Sequence, residues 1–208
     1  MNLDLSLRSL LSNSPLPASE ARLLMAHILD QHYQLPRSAL LSRDDMTLSL
    51  EANLAWQELQ SKRMAGEPIA YLIGKRGFHN IELFVAPGVL IPRPETELLV
   101  EIGLREIQRL ETEAIYANVL DLGTGSGAIA LAIAHEAQSV MITATDQSSE
   151  ALAIAATNAK HLGLEVRVQF AQGSWYEALP PEGRFDLIVS NPPYIAARDP
   201  HLTSGDLR

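Results

Sequence analysis

Apolar residues recur at spacings of three and four through the first third of the chain. Ala21, Leu24, Met25, Ile28 and Leu29 fall on one face of a helix entered through Ser14-Pro15-Leu16-Pro17. Leu48, Ala52, Ala55, Trp56 and Leu59 mark a second helix near Thr47 to Ala65, with Trp56 read as a core residue. Gly66-Glu67-Pro68 stops it, because proline cannot continue the helical ladder. From Gly77 the period shortens to two. Ile81, Leu83 and Val85 alternate, Pro87-Gly88 supplies a turn and Val89-Leu90-Ile91 runs extended, so a β-hairpin is expected over 77–94. Arg93-Pro94-Glu95-Thr96-Glu97 opens a further helix with Leu98, Leu99 and Ile102 inward and glutamates at its positive end.

Beyond this point strands and helices alternate. Strands are expected at Asn118 to Leu122, Val140 to Thr145, Val166 to Ala171 and Phe185 to Ser190, with helices at Gly127 to Ala137 and Ser149 to Leu162. Such alternation implies an α/β fold with a doubly wound parallel sheet. Three segments follow: a helical domain over 1–76, a hairpin connector over 77–94 and the α/β domain over 95–208.

Composition adds exclusions. The 208 residues are 47% hydrophobic and 20% charged, which suits a folded protein rather than a disordered chain. No cysteine is present, so disulfides, thiolate zinc sites and cysteine nucleophiles are excluded. The six histidines show no metal-ligand spacing with Asp or Glu, and no metal is expected. Asp4 and Arg8 interrupt the apolar start and no apolar run reaches membrane-spanning length, so a cytoplasmic protein without membrane contact is expected. The net charge of -9 lies in the second part: up to Pro94 nine Lys and Arg balance nine Asp and Glu, whereas seven face sixteen from Glu95 onward. An acidic α/β half disfavours electrostatic capture of nucleic acid.

The chemistry concentrates where strands end. Val119-Leu120-Asp121-Leu122 runs into Gly123-Thr124-Gly125-Ser126-Gly127 and then an alanine-rich helix. Glycines there let a ligand approach main-chain N–H groups at a helix N-terminus, but the spacing also fits a dinucleotide fingerprint. Asp146, nineteen positions after Gly127, can accept both hydroxyls of a ribose; capping the next helix is its structural alternative. Ser190-Asn191-Pro192-Pro193-Tyr194 follows the last apolar strand. Two prolines force extended backbone, Asn191 offers an acceptor and two donors, the Pro192 carbonyl another acceptor, and Tyr194 a flat apolar face. That set fits a planar group bearing an NH2.

The Asp121–Gly127 run together with Asn191-Pro192-Pro193-Tyr194 resembles S-adenosylmethionine-dependent methyltransferases acting on amide or exocyclic amino nitrogens. Asn-Pro-Pro-Tyr is shared by adenine and glutamine methyltransferases. Upstream, Arg63-x-x-Gly66-Glu67-Pro68-x-x-Tyr71-Leu72-x-Gly74 and Leu90-Ile91-Pro92-Arg93-Pro94-Glu95-Thr96-Glu97 resemble the release factor glutamine methyltransferase (HemK/PrmC) family. The resemblance implies a Rossmann-like methyltransferase sheet with a small N-terminal helical docking domain and a β-hairpin connector. It further implies methylation of the glutamine in the Gly-Gly-Gln motif of peptide chain release factors, with S-adenosylmethionine as cofactor.

By the same resemblance, Gly123, Thr124, Gly125, Ser126 and Gly127 surround the carboxyl end and sulfonium of the cofactor, Asp146 its ribose and Trp175 its adenine. Asn191 lies between cofactor and substrate amide, and Asn191, Pro192, Pro193 and Tyr194 form the catalytic and substrate-binding segment. Ser174 stands where relatives often carry Asp, which removes charge assistance at the adenine amino group. The family continues with further strands, so a C-terminally shortened member of reduced activity is expected. Lys62-Arg63 and Lys75-Arg76 are candidate contacts for an acidic partner surface, with solvated charge as the plain alternative. The competing readings are adenine methylation of nucleic acid, glutamine methylation of a ribosomal protein, and a nucleotide-binding module without chemistry; a dinucleotide oxidoreductase leaves Asn-Pro-Pro-Tyr without a role.

Overall fold

The computed structural model describes residues 5–113 and 116–192. The chain divides into two compact units, Met1–Ile73 and Gly74–Arg208. In the first, α1 (Leu7–Ser12), α2 (Ala18–Tyr33), α3 (Ala39–Ser42), α4 (Leu50–Met64) and α5 (Ile69–Ile73) gather around one core. The three-and-four spacing of α2 buries Ala21, Leu24, Met25, Ile28 and Leu29 as expected, and Trp56 of α4 lies in the same core. Ser6 and Ser49 cap α1 and α4 by accepting the amides of Ser9 and Ala52, which satisfies donors that the first helical turn leaves open. The short α3 and α5 carry too few turns to leave a periodic signal in the sequence.

The second unit begins with an antiparallel pair, β1 (Lys75–Phe78) and β2 (Ile81–Phe84). The hairpin therefore turns at His79-Asn80, upstream of the expected Pro87-Gly88. His79 takes the left-handed conformation at φ 49° that the tight reversal demands, and Val89-Leu90-Ile91 forms no strand. A 3-10 turn at Pro94–Thr96 leads into α6 (Glu97–Thr112). Its inward face is Val100, Gly103, Ile107 and Leu110, not Leu98 and Ile102, which are exposed; Leu99 packs at the core margin. Two residues along a helix are about 200° of rotation, so burying Val100 turns Leu98 outward.

Four parallel strands follow with α7 (Ala128–Glu136) and α8 (Ser149–His161) as crossovers: β3 (Ala117–Leu122), β4 (Val140–Asp146), β5 (Val168–Gln172) and β6 (Leu187–Ser190). Their order is β5-β4-β3-β6, a doubly wound sheet. β3 lies between β4 and β6, so its positions 119–122 are all buried. From Ala128 to Ala134 every residue of α7 is buried, which explains a helix apolar on all sides. β5 starts at Val168 rather than Val166: the Arg167 and Val168 amides both donate to the Leu164 carbonyl, closing a turn that leaves Val166 exposed.

Candidate active site at the carboxyl edge of the sheet

Leu122 of β3 lies in register with Thr145 of β4 and Ser190 of β6. Gly123, Asp146 and Asn191, each following one of these positions, thus emerge at one edge of the sheet. Strand order reverses between β3 and β6, which is where open α/β sheets form their ligand crevice.

The loop after β3 is held mainly by backbone. The Gly123 and Thr124 amides both donate to the Thr145 carbonyl at 2.9 Å, and the Gly127 amide donates to the Thr124 carbonyl at 2.9 Å. Gly123, Gly125 and Gly127 take φ values of 72°, 57° and 85°. A Cβ at Gly123 or Gly125 would meet nothing within 4 Å, so conformation requires these glycines and space beside them is open. At Gly127 a Cβ would stand 2.8 Å from Leu131 Cδ1, so close packing adds a second requirement. Ser126 and Thr124 are buried.

Asp146 faces this loop. Its Oδ2 accepts the Gly125 amide at 2.9 Å and its Oδ1 the Ser148 amide at 3.0 Å. Ser148, not Asp146, caps α8, with its hydroxyl oxygen accepting the Ala151 amide. The capping alternative for Asp146 thus falls to its neighbour. A carboxylate has about four acceptor positions, so both oxygens retain capacity for ribose hydroxyls.

Three contributors received no role of their own from the sequence, although Asp121 and Thr96 lie inside the runs that carry the resemblance. Asp121, inside β3, is fully buried; its Oδ2 accepts the Thr124 hydroxyl at 2.7 Å, while Oδ1 is buried without a hydrogen-bond partner. Burial away from water pushes its carboxyl up to about 6. A carboxylate within Val-Leu-Asp-Leu was the available signal. Asn158 of α8 is also fully buried: its Oδ1 accepts the Phe84 amide at 2.7 Å, and its Nδ2 donates to the carbonyls of Phe84 and Ser126 at 3.0 and 2.9 Å. It joins the hairpin to the glycine loop. The third is Thr96, whose Oγ1 accepts from Asn191 Nδ2 at 2.9 Å.

Asn191 and Pro192 leave the end of β6, where the Ser190 hydroxyl donates to the Leu122 carbonyl at 2.8 Å. Pro193 and Tyr194 lie outside the described residues. The segment carrying Trp175 is tied to the same sheet edge by the Gly173 amide, which donates to the Asp146 carbonyl at 3.0 Å. Trp175 has a φ of 51° and an exposed ring, and the Ser174 hydroxyl makes no capping bond. Of the basic pairs, Lys62 bonds Glu58, Arg63 bonds Glu20 and Lys75 bonds Glu82, so three cations already have carboxylates within the chain; Arg76 Nε is buried without a hydrogen-bond partner. Among the described residues no His, Asp and Glu cluster could hold a metal, and no helix is long and apolar enough to cross a membrane.

Comparison with known proteins adds the decisive observation. A release factor glutamine methyltransferase from Bordetella pertussis is 48% identical over 97% of this chain and 71% of its own length. The chain belongs to the release factor glutamine methyltransferase family. Another such enzyme, from Xylella fastidiosa strain Temecula1, is 52% identical over 91% of this chain and 65% of its own length. The chain thus spans 65% to 71% of the length of these relatives. Family models for the PrmC N-terminal domain and the methyltransferase small domain match residues 6–74 and 103–204. Among solved structures, a SAM-dependent methyltransferase from Thiobacillus denitrificans in complex with S-adenosyl-L-homocysteine is 26% identical over 47% of this chain and 36% of its own, at a TM-score of 0.37.

Membership in a methyltransferase family resolves what glycine spacing left open: the cofactor is S-adenosylmethionine rather than a dinucleotide. The residues present fit it. Open space beside Gly123 and Gly125 and acceptor capacity on Asp146 suit a ligand with ribose hydroxyls.

Proposed function

We propose that this methyltransferase-family chain methylates the side-chain amide nitrogen of the glutamine in the Gly-Gly-Gln motif of peptide chain release factors, in the cytoplasm. The observation that carries this reading is Asn191. It emerges at the strand-order reversal beside the glycine loop, its Nδ2 is committed to Thr96, and its Oδ1 accepts no hydrogen bond among the described residues. An amide whose acceptor end is left over is what a substrate NH2 needs.

Bound S-adenosylmethionine supplies a methyl group on a positively charged sulfur. Gly123 to Gly127 and Asp146 hold that cofactor, with Trp175 as the flat surface for its adenine. A glutamine amide nitrogen is a poor nucleophile because its lone pair is delocalised into the carbonyl. Asn191 Oδ1 and the Pro192 carbonyl oxygen, each accepting one amide hydrogen, orient the lone pair toward the methyl and favour positive charge on nitrogen. The cofactor would give up the methyl and keep the pair of the broken sulfur–carbon bond, while Asn191 Oδ1 and the Pro192 carbonyl oxygen hold the amide nitrogen until its proton passes to water. No dedicated base is needed, because a protonated amide is strongly acidic. The first unit, Met1–Ile73, serves in this reading as the docking element for the release factor.

The test incubates the chain and labelled S-adenosylmethionine with a release factor in one arm and an adenine-containing oligonucleotide in the other. The expected result is one added methyl on the Gly-Gly-Gln glutamine, located by mass spectrometry. Label on the oligonucleotide alone, or on neither while the cofactor binds, overturns the assignment.

A further inference from the structure

The run Pro94-Glu95-Thr96-Glu97 leads through a 3-10 turn into α6. Its geometry is specific. Pro94 opens the 3-10 turn, the Thr96 amide donates to the Arg93 carbonyl at 3.0 Å, and Glu97 Oε1 accepts the His79 amide at 3.1 Å. Thr96 is thereby held between a closed turn and a helix start anchored to the hairpin. From that position its hydroxyl oxygen meets Asn191 Nδ2 at 2.9 Å, across 95 positions of sequence.

We propose that Thr96 is a positioning residue that holds the Asn191 amide in place, so that its Oδ1 can be presented to the substrate. The inference rests on the function proposed above. The two ends of an asparagine amide have nearly the same shape and opposite hydrogen-bonding character, so their orientation is decided by neighbours. With Nδ2 turned to Thr96, Oδ1 is presented to the substrate. In the reversed orientation the NH2 of Asn191 opposes the NH2 of the incoming glutamine, donor against donor, and the amide hydrogens of the substrate lose an acceptor. A hydroxyl can accept or donate, so Thr96 holds Asn191 in either orientation while the substrate is absent; substrate selects the orientation in which Thr96 accepts. Without the hydroxyl the Asn191 amide has no fixed partner, and its Oδ1 is no longer preorganised toward the nucleophile.

The discriminating pair is Thr96→Val, which keeps shape and removes the hydroxyl, and Thr96→Ser, which restores it. Turnover of a release factor, the dissociation constant for S-adenosylmethionine and the Asn191 side-chain NH2 resonances are measured on wild type and both variants. For Thr96→Val, kcat is expected to fall about tenfold to a hundredfold, the range for groups that orient a contacting residue. Cofactor affinity stays unchanged, the Asn191 NH2 resonances shift, and Thr96→Ser recovers most of the turnover. Wild-type turnover in Thr96→Val, or unshifted Asn191 resonances, overturns the proposal. Loss of cofactor binding in step with kcat, or a Thr96→Ser variant as impaired as Thr96→Val, assigns Thr96 to packing and also overturns it. A wild-type chain that binds cofactor and methylates no glutamine refutes the function itself, a result distinguishable from all of these.

Discussion

The two halves of the site are built differently. The half proposed to hold the cofactor, Gly123 to Gly127 with Asp146, is held by main-chain amides on the Thr145 carbonyl, by Asp146 and by the buried side chains of Asp121 and Asn158. The half proposed to face the substrate, Asn191 with Pro192, hangs from the end of β6 by the Ser190–Leu122 bond and the Thr96–Asn191 bond. The first half spreads its support over many bonds drawn from β3, β4 and α8. The second depends on single side chains from distant segments. Substitutions in the cofactor half should therefore appear in stability and cofactor affinity together, and those in the substrate half in turnover alone.

Asn191→Ala is the largest expected break. Turnover should fall by about a hundredfold to a thousandfold, the effect of removing one group aimed at developing charge, while the dissociation constant for S-adenosylmethionine changes little. Steady-state kinetics with calorimetry checks both, and a parallel loss of binding would erase the division between the halves.

Asp121 sharpens the other side. Its folded-state pKa of about 6 lies above the ordinary value of 3.8 for an exposed aspartate, so folding favours its protonated form. The stabilisation is fully present below about pH 4 and is lost as pH rises through about 6. At neutral pH the ionised group costs up to about 3 kcal/mol. The stability of D121N relative to wild type should therefore improve by that order between pH 4 and pH 7, as measured by urea unfolding at several pH values. A pH-independent difference would show that the carboxylate is ionised throughout.

Asn158→Ala leaves the amide and carbonyl of Phe84 and the carbonyl of Ser126 without their partner. A loss of about 1–3 kcal/mol in stability is expected, together with weaker cofactor binding because Ser126 belongs to the loop. Thermal melting with and without cofactor would detect both; destabilisation without any change in affinity would separate the hairpin from the loop. The smallest effect is expected at Trp175, whose ring is already exposed. Trp175→Ala should weaken cofactor binding by about tenfold at most, since aromatic stacking on a base contributes about 1–3 kcal/mol and an exposed ring sits at the low end.

Much of this organisation was legible in the chain. Apolar spacing located α2, α4, α7, α8 and the four parallel strands, because each is a local period repeated over several residues. The hairpin was placed too far downstream because Pro87-Gly88 is a stronger turn signal than His79-Asn80, and only pairing of Lys75–Phe78 with Ile81–Phe84 decides the register. The inward face of α6 was missed because Leu98, Leu99, Val100 and Ile102 crowd several faces, leaving the neighbouring sheet to choose among them.

The sequence by itself determined the glycine loop, the strand-end acid Asp146 and the Asn191-Pro192 segment, since these are short-range: a left-handed turn needs glycine and paired prolines need extended backbone. Only the tertiary structure decided that Ser148 caps α8 while Asp146 turns to Gly125, that Asp121 is buried with one free oxygen, and that Thr96 and Asn158 reach partners 95 and 74 positions away. A hydrogen bond between distant side chains leaves no period in the chain. It exists only once the sheet has brought its ends together.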